Sequence, residues 1–323
     1  MDRRLFLKST AVAALLPFGA VRELGAAEER SARIKAGSET LVSQFYKGLS
    51  EEQRKAVCFE FGHELQSKID NNWFITKTRV KEFSKEQQEM IRAIFRGLHS
   101  EEYAEPVLKQ VEHDNGKDGF GACSVALFGE PGSGKFQFVF TGRHVTRRCD
   151  GDSVDGAAFG GPIFYGHQAG DNDEEGATHP GNVYWYQAKR ANEVFQALDG
   201  KQRKLALVER ARPERKEQTI KLTGKKSGLD GIPLTELARD QQELVRKVMA
   251  DVLAPFRKED AAESMKLIEK NGFENLHMAF YSGNDVGKDE VWDVWQIEGP
   301  AMVWYFRGDP HVHTWVHVRE SAV

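Results

Sequence analysis

The chain reads as an α+β protein: a unit of helices followed by antiparallel strands, present twice in tandem and packed about a pseudo-twofold axis. Three observations predict this. Internal similarity recurs at a nearly constant offset, each copy carries amphipathic helical spacing early, and each copy then turns to alternating, aromatic-rich strands. The expected organisation is a signal segment over 1–27, a linker over 28–39, a first repeat over 40–190 and a second over 191–323.

The first 27 residues have the order of an export signal. A charged start, "DRRLFLKST", precedes an apolar run, "AVAALLPFGAV", and small residues around Ala26 and Ala27. The run is too short for a permanent bilayer span. Arg3-Arg4 ahead of Leu5, Phe6 and Leu7 is similar to the twin-arginine signal, which exports folded proteins. The expected location is therefore periplasmic or otherwise extracytoplasmic. No later segment is apolar enough for a stable membrane span.

The repeat is carried by aligned blocks. "FSKEQQEMIRAIF" from Phe83 matches "LARDQQELVRKVM" from Leu237 at an offset of 154, so that Gln87, Gln88, Glu89 and Arg92 recur as Gln241, Gln242, Glu243 and Arg246. "LSEEQRKAV" from Leu49 matches "LDGKQRKLALV" from Leu198 at an offset of 149, and Asn115-Gly116 matches Asn271-Gly272. Ser84 followed by Gln87 is a capping-box signal, and Met90, Ile91, Ile94, Phe95 and Leu98 follow helical spacing. A second helix is expected near 101–112 and again near 258–270. The strands follow in "CSVALFGEPGSGKFQFVFTGRHVTRR" and "HMAFYSGNDVGKDEVWDVWQIEGPAMVWYF".

"FGEPGSGKFQF" spells most of a phosphate-binding loop, yet Phe136 follows Lys135 where Ser or Thr should stand, and a strand follows where a helix should. A hairpin turn is expected, and no nucleotide cofactor. A net charge of −4, with the basic stretch 201–226 interrupted by Glu209, Glu214 and Glu217, gives no reason to expect nucleic acid. Three cysteines, Cys58, Cys123 and Cys149, permit at most one internal bridge, and no Cys-x-x-Cys pair suggests a thiolate metal site.

Histidines carry the chemistry. Alternation along "FQFVFTGRH" puts His144 on the face of Phe136, Phe138 and Phe140, where a histidine needs a partner. In "DPHVHTWVHV", His311 and His313 share a strand face, with Cα atoms about 6.5–7 Å apart. His-x-His on a strand can converge on one zinc, copper or iron ion; equally, the pair can line a solvated face. The third ligand would be His144 or, second, His167. His317 reads as a bystander, and His63, His99, His113 and His277 as surface or turn residues. Asp150, Asp152 and Asp155 lack a calcium-loop frame and read as a turn. Glu298 is the candidate acid, able to orient a metal-bound histidine or act as a general base, or simply to form a structural pair.

The blocks "LSEEQRKAVCFEF", "FSKEQQEMIRAI", "FGEP", "GRHVT", "FGGP", "LDGKQR", "WQIEGPAMVWYF" and "HVHT" together resemble the domain-of-unknown-function 3500 family over roughly 40–318. The resemblance implies an exported bacterial protein and points to His144, His311 and His313; the family carries no settled activity. Arg143 departs from its pattern, standing where a second histidine often occurs. Two functions are expected: metal-dependent oxidative or hydrolytic catalysis, or non-catalytic binding of glycan or cell-envelope polymer on a platform of Trp292, Trp295, Trp304, Tyr305 and Trp315.

Overall fold

The structure, a computed structural model, describes residues 37–168, 182–283, 292–308 and 310–322. The expected signal segment, most of the linker, residues 169–181 and residues 284–291 of the second strand block lie outside the described residues. Helices α1 (Ser38–Lys47), α2 (Glu51–Val57), α3 (Lys85–Gly97) and α4 (Ala104–Asp114) precede strands β2 (Ser124–Gly129), β3 (Phe136–Gly142), β4 (Val145–Cys149) and β5 (Ile163–His167). Helices α5 (Tyr186–Gln196), α6 (Gly200–Ala206), α7 (Arg239–Leu253) and α8 (Lys258–Lys270) precede β8 (His277–Tyr281), β9 (Val294–Gly299), β10 (Met302–Arg307) and β11 (Val312–Val318). Three two-residue strands complete the set: β1 (Cys58–Phe59), β6 (Leu207–Val208) and β7 (Ile232–Pro233).

Among the described residues the strands form one mixed sheet of 11, in the order β1-β2-β3-β4-β5-β11-β10-β9-β8-β6, with β7 also on β8. Two antiparallel meanders, β2–β5 and β8–β11, meet where β5 runs antiparallel to β11, with His167 opposite Val312 and Tyr165 opposite Thr314. Each outer end is closed by a short parallel strand, β1 on β2 and β6 on β8. Such short edges leave little template for pairing with another chain.

The helices cover one face. Phe138 and Phe140 project into this layer, against Phe45 and Phe95. The other face carries the irregular segments 60–82 and 209–231, which enclose Phe164, Val303, Tyr305 and Trp315 with Ile69, Ile220 and Leu222. Polar groups anchor them: Arg148 donates to the carbonyls of Gln66 and Lys68, and Arg212 Nε donates to Gln296 at 2.9 Å. Trp295, Trp304, Trp315 and Tyr305 are buried. Four of the five aromatics expected to form a platform are therefore core packing, and Trp292 is half-buried.

Local signals formed as read. Ser84 caps α3, its hydroxyl accepting from Gln87 N while Gln87 Oε1 accepts from Ser84 N. The same glutamine donates from Nε2 to Gly48 O and Gln53 Oε1. Gln241 repeats the arrangement at the start of α7: its Oε1 accepts from Ala238 N, and its Nε2 donates to Ala197 O and Gln202 Oε1. Arg92 pairs with Glu112 and lies over the Phe120 ring; Arg246 pairs with Glu269 and lies over Phe273. The glycine-rich stretch 130–135 joins antiparallel β2 and β3, so it is the expected hairpin turn, with Lys135 paired to Asp155 at 2.9 Å. The three cysteines are free thiols.

Two histidines expected at the surface are buried, His99 and His277. His99 is fixed in one tautomer: Arg147 Nε donates to its Nε2 at 3.1 Å, so its Nδ1–H donates to Phe95 O at 2.8 Å. Burial first, and Arg147 second, hold its pKa well below the ordinary value. Burial also lowers His317, to about 4, against the raising effect of the Ile220 carbonyl it bonds at 3.0 Å. A histidine held neutral in the fold but free to protonate when unfolded contributes stability above the unfolded pKa of about 6.5, and that stability is lost as pH falls toward the folded value. Urea unfolding of His317→Gln, which cannot take up the proton, should lose less stability than wild type between pH 6.5 and 4; parallel curves would refute this. Gln87→Ala, which removes a cap and strands the Gly48 carbonyl, should cost about 1–3 kcal/mol by the same measurement.

Candidate metal centre

At one end of the central seam, the β3–β4 turn meets the start of β11. Gly142 pairs with Val145, so Arg143 and His144 make a two-residue hairpin loop. His144 takes a left-handed conformation, φ 56°, which non-glycine residues seldom adopt. Two backbone bonds hold it there: its N–H donates to Asn71 O at 2.9 Å, and its carbonyl accepts from Gly166 N at 3.1 Å. This corrects the alternation argument. Phe138 and Phe140 face the helices, whereas the chain leaves the strand before His144 and turns the imidazole toward β11.

There it meets His311 and His313. The three rings lie 4.6–5.1 Å apart between centroids. One nitrogen from each falls within 4.8 Å of the others, the one such group among the described residues. His311 Nε2 and His313 Nε2 are 2.9 Å apart. A tetrahedral ion with metal–nitrogen bonds of about 2.0–2.1 Å spaces its ligand atoms about 3.3 Å apart, so small ring rotations bring the set onto one centre.

Each of two rings is oriented by a carboxylate, Asp114 buried and Glu214 half-buried. His144 Nδ1 donates to Asp114 Oδ2 at 3.0 Å, and His313 Nδ1 donates to Glu214 Oε2 at 2.6 Å. Fixing Nδ1 as the protonated nitrogen leaves the Nε2 lone pair for a metal, the second-layer arrangement common around histidine ligands. Burial lowers both imidazole pKa values, with Asp114 only partly opposing this at His144, so both rings are in the neutral, ligating form. Asp114 sits at the C-terminal end of α4, where the helix dipole disfavours a negative charge. Burial would also raise its pKa, but hydrogen bonds from His144 and His167 hold it below the usual range, and the backbone N–H of Gln168 adds another at 3.2 Å. Glu214 is raised by burial and drawn back by Arg307, whose Nε lies 2.7 Å from Glu214 Oε1.

The structure brings together His144, His311 and His313 of the expected site residues. His167 joins them indirectly, donating from Nδ1 to Asp114 Oδ1 at 2.7 Å. Glu298 lies elsewhere. His313 is opposite Arg307, and Arg307 opposite Val294, so Glu298 is four residues farther along β9, about 13 Å along the strand. Its carboxylate accepts from Arg212 and from Gln296 Nε2, the structural pair that the sequence left open. His317 bonds the 209–231 segment and stands outside the trio. Asp114 and Glu214 were missed. The one signal in the sequence is that Asp114 precedes Asn115-Gly116, whereas Lys270 precedes the similar Asn271-Gly272.

A cavity of about 560 Å³ opens on the histidines, bordered also by Asn71, Arg143, Arg212, Tyr305 and Arg307. This size suits a small molecule. Among the described residues no helix is long and apolar enough to cross a membrane.

No curated protein and no solved structure matches the chain. The model of a protein family of unknown function, DUF3500, matches residues 32–321, nearly all of the sequence beyond the expected signal segment, and the chain belongs to that family.

Proposed function

We propose that the protein is a metal-dependent enzyme, hydrolytic or oxidative, acting on a small molecule outside the cytoplasm, with the ion held by His144, His311 and His313. One observation carries this: three imidazole nitrogens converge beside a cavity, and among the described residues no fourth protein ligand joins them. Structural metal sites close the coordination sphere with protein ligands, whereas catalytic sites keep a position open. The set of nitrogen donors without thiolate suits zinc, copper or iron. A bound ion would supply Lewis acidity and a lowered pKa for bound water. The chain's own residues do the rest: Asp114 and Glu214 fix the tautomer and direction of His144 and His313, and the strained turn at His144 is held by Asn71 and Gly166.

The twin-arginine-like start supports export, a route suited to a protein that must fold and load its metal first. We further infer that the gene is internally duplicated, its two halves related by a pseudo-twofold axis between β5 and β11. The mirrored strand order, the equivalent Gln87 and Gln241 bonds and the paired Arg92 and Arg246 contacts support this. Only one of the two equivalent β3–β4 and β9–β10 turns carries a histidine; Ala301 follows Gly299-Pro300 in the other.

Protein purified and reconstituted with zinc, copper or iron should hold about one ion per chain by elemental analysis. His144→Ala and His313→Ala should abolish retention, and Asp114→Asn should weaken affinity by about 10–100-fold. Saturating metal should raise the melting temperature of wild type but not of His313→Ala. Wild type that retains none of the three metals and gains no thermal stability from them would refute the metal centre.

A further inference from the structure

The floor of the cavity carries polar groups that the metal reading does not use. Arg307 and Tyr305 lie two residues apart on one face of β10, and Arg307 is directly opposite His313 on β11. Cross-strand neighbours have Cβ atoms about 4.5–5.5 Å apart, so the guanidinium and the metal-binding nitrogens share one compartment. Arg307 is held from one side only, its Nε beside Glu214 Oε1 at 2.7 Å. Among the described residues, its two terminal nitrogens have no hydrogen-bond partner, and neither does the Tyr305 hydroxyl, although Tyr305 is 1 % exposed. Burial raises the Tyr305 pKa, so its hydroxyl keeps its proton and remains a donor.

A buried phenol and a clamped guanidinium, both without acceptors and both bordering one cavity, call for a ligand that brings acceptors. The one carboxylate on the cavity wall among the described residues, Glu214, is already taken by His313 and Arg307. The other arginines serve the wall itself. Arg212 is committed to Glu298, Gln296 and the Thr219 carbonyl, and Arg143 Nη2 donates to Gln168 Oε1 at 2.7 Å. One planar fork and one hydroxyl suit the two oxygens of a carboxylate. A phosphate dianion would demand more uncompensated positive charge than Arg307, shared with Glu214, provides.

We propose that the substrate is a small organic acid, its carboxylate gripped by the terminal nitrogens of Arg307 and by the Tyr305 hydroxyl, with its reacting group turned toward His144, His311 and His313. This rests on reading the cavity as the substrate site, and it gives Arg307 a second task beside aligning Glu214. Arg307 and Tyr305 bind and position; the bond change takes place at the histidines.

The test is calorimetric titration of metal-loaded protein with succinate, acetate, acetamide and inorganic phosphate, repeated after chelation. Succinate and acetate should bind and acetamide, the neutral isostere of acetate, should not. Arg307→Gln should lose about 10–100-fold in succinate affinity, the range of a charge-assisted bond, while retaining its metal. Tyr305→Phe should show a smaller loss. Arg307→Lys keeps the charge beside Glu214 and the fold but not the fork, and should also lose succinate affinity; it decides the matter should Arg307→Gln fail to fold. Equal succinate affinity in wild type and Arg307→Lys, binding of acetamide as tight as acetate, preference for phosphate, or no carboxylate binding at all would each overturn the proposal. Arginine-dependent succinate binding that survives in protein unable to hold metal would uphold the acid site while the metal reading fell.

Discussion

The antiparallel pairing of β5 with β11 is the contact on which the site depends. Without it, the two meanders are separate sheets, and His144 has no relation to residues more than 160 positions away. With it, the start of β11 is laid beside the end of β5, and Gly166 stands opposite His313. A Cβ at Gly166 would come within 2.1 Å of the Val312 carbonyl, so glycine permits this approach. The Gly166 N–H then bonds the His144 carbonyl and ties the hairpin turn into the seam. Backbone pairing, rather than any side chain, sets the distance between the first half's histidine and the two from the second.

Electrostatics make the arrangement selective. A buried carboxylate, Asp114, and a half-buried one, Glu214, each beside an imidazole, would be costly if unpaired. Asp114 is satisfied by two imidazole N–H donors and a backbone N–H, and Glu214 by His313 and Arg307. These bonds consume the Nδ1 protons and leave the opposite nitrogens facing the cavity. Burial meanwhile penalises the imidazolium form, so the rings remain neutral donors. The same burial leaves Tyr305 a proton donor on the adjoining strand. The cavity thus has nitrogen lone pairs on one side and hydrogen-bond donors on the other, a division that fits an ion beside an acid group.

The helices and the β2–β3 hairpin were legible because their determinants are local. Ser84 and Gln87 are three residues apart and bond each other, and Gly132 supplies the positive φ of a tight connection at 130–135. Periodicity misled where the local conformation broke it. Strict alternation carried past Gly142 assigned His144 to the phenylalanine face, but the two-residue turn with φ 56° at His144 ends the strand register there. Nothing in the neighbourhood of His99 announces Arg147, 48 positions away, so its local sequence suggests a surface or turn residue.

Short-range properties of the chain are enough for the α+β order of elements, the hairpin nature of the false phosphate loop and the pairing of His311 with His313, whereas they name His144 as a candidate but give it the wrong face. Tertiary structure alone decided which of the remaining candidates belong with them. Asp114 lies 30 residues from His144, and Glu214 lies 99 from His313 in a segment of no regular periodicity. Glu298, on a neighbouring strand, was drawn to Arg212 instead. A carboxylate's partner is set by which strands become neighbours and in what register, and pairing between distant strands has no short-range signature in the chain.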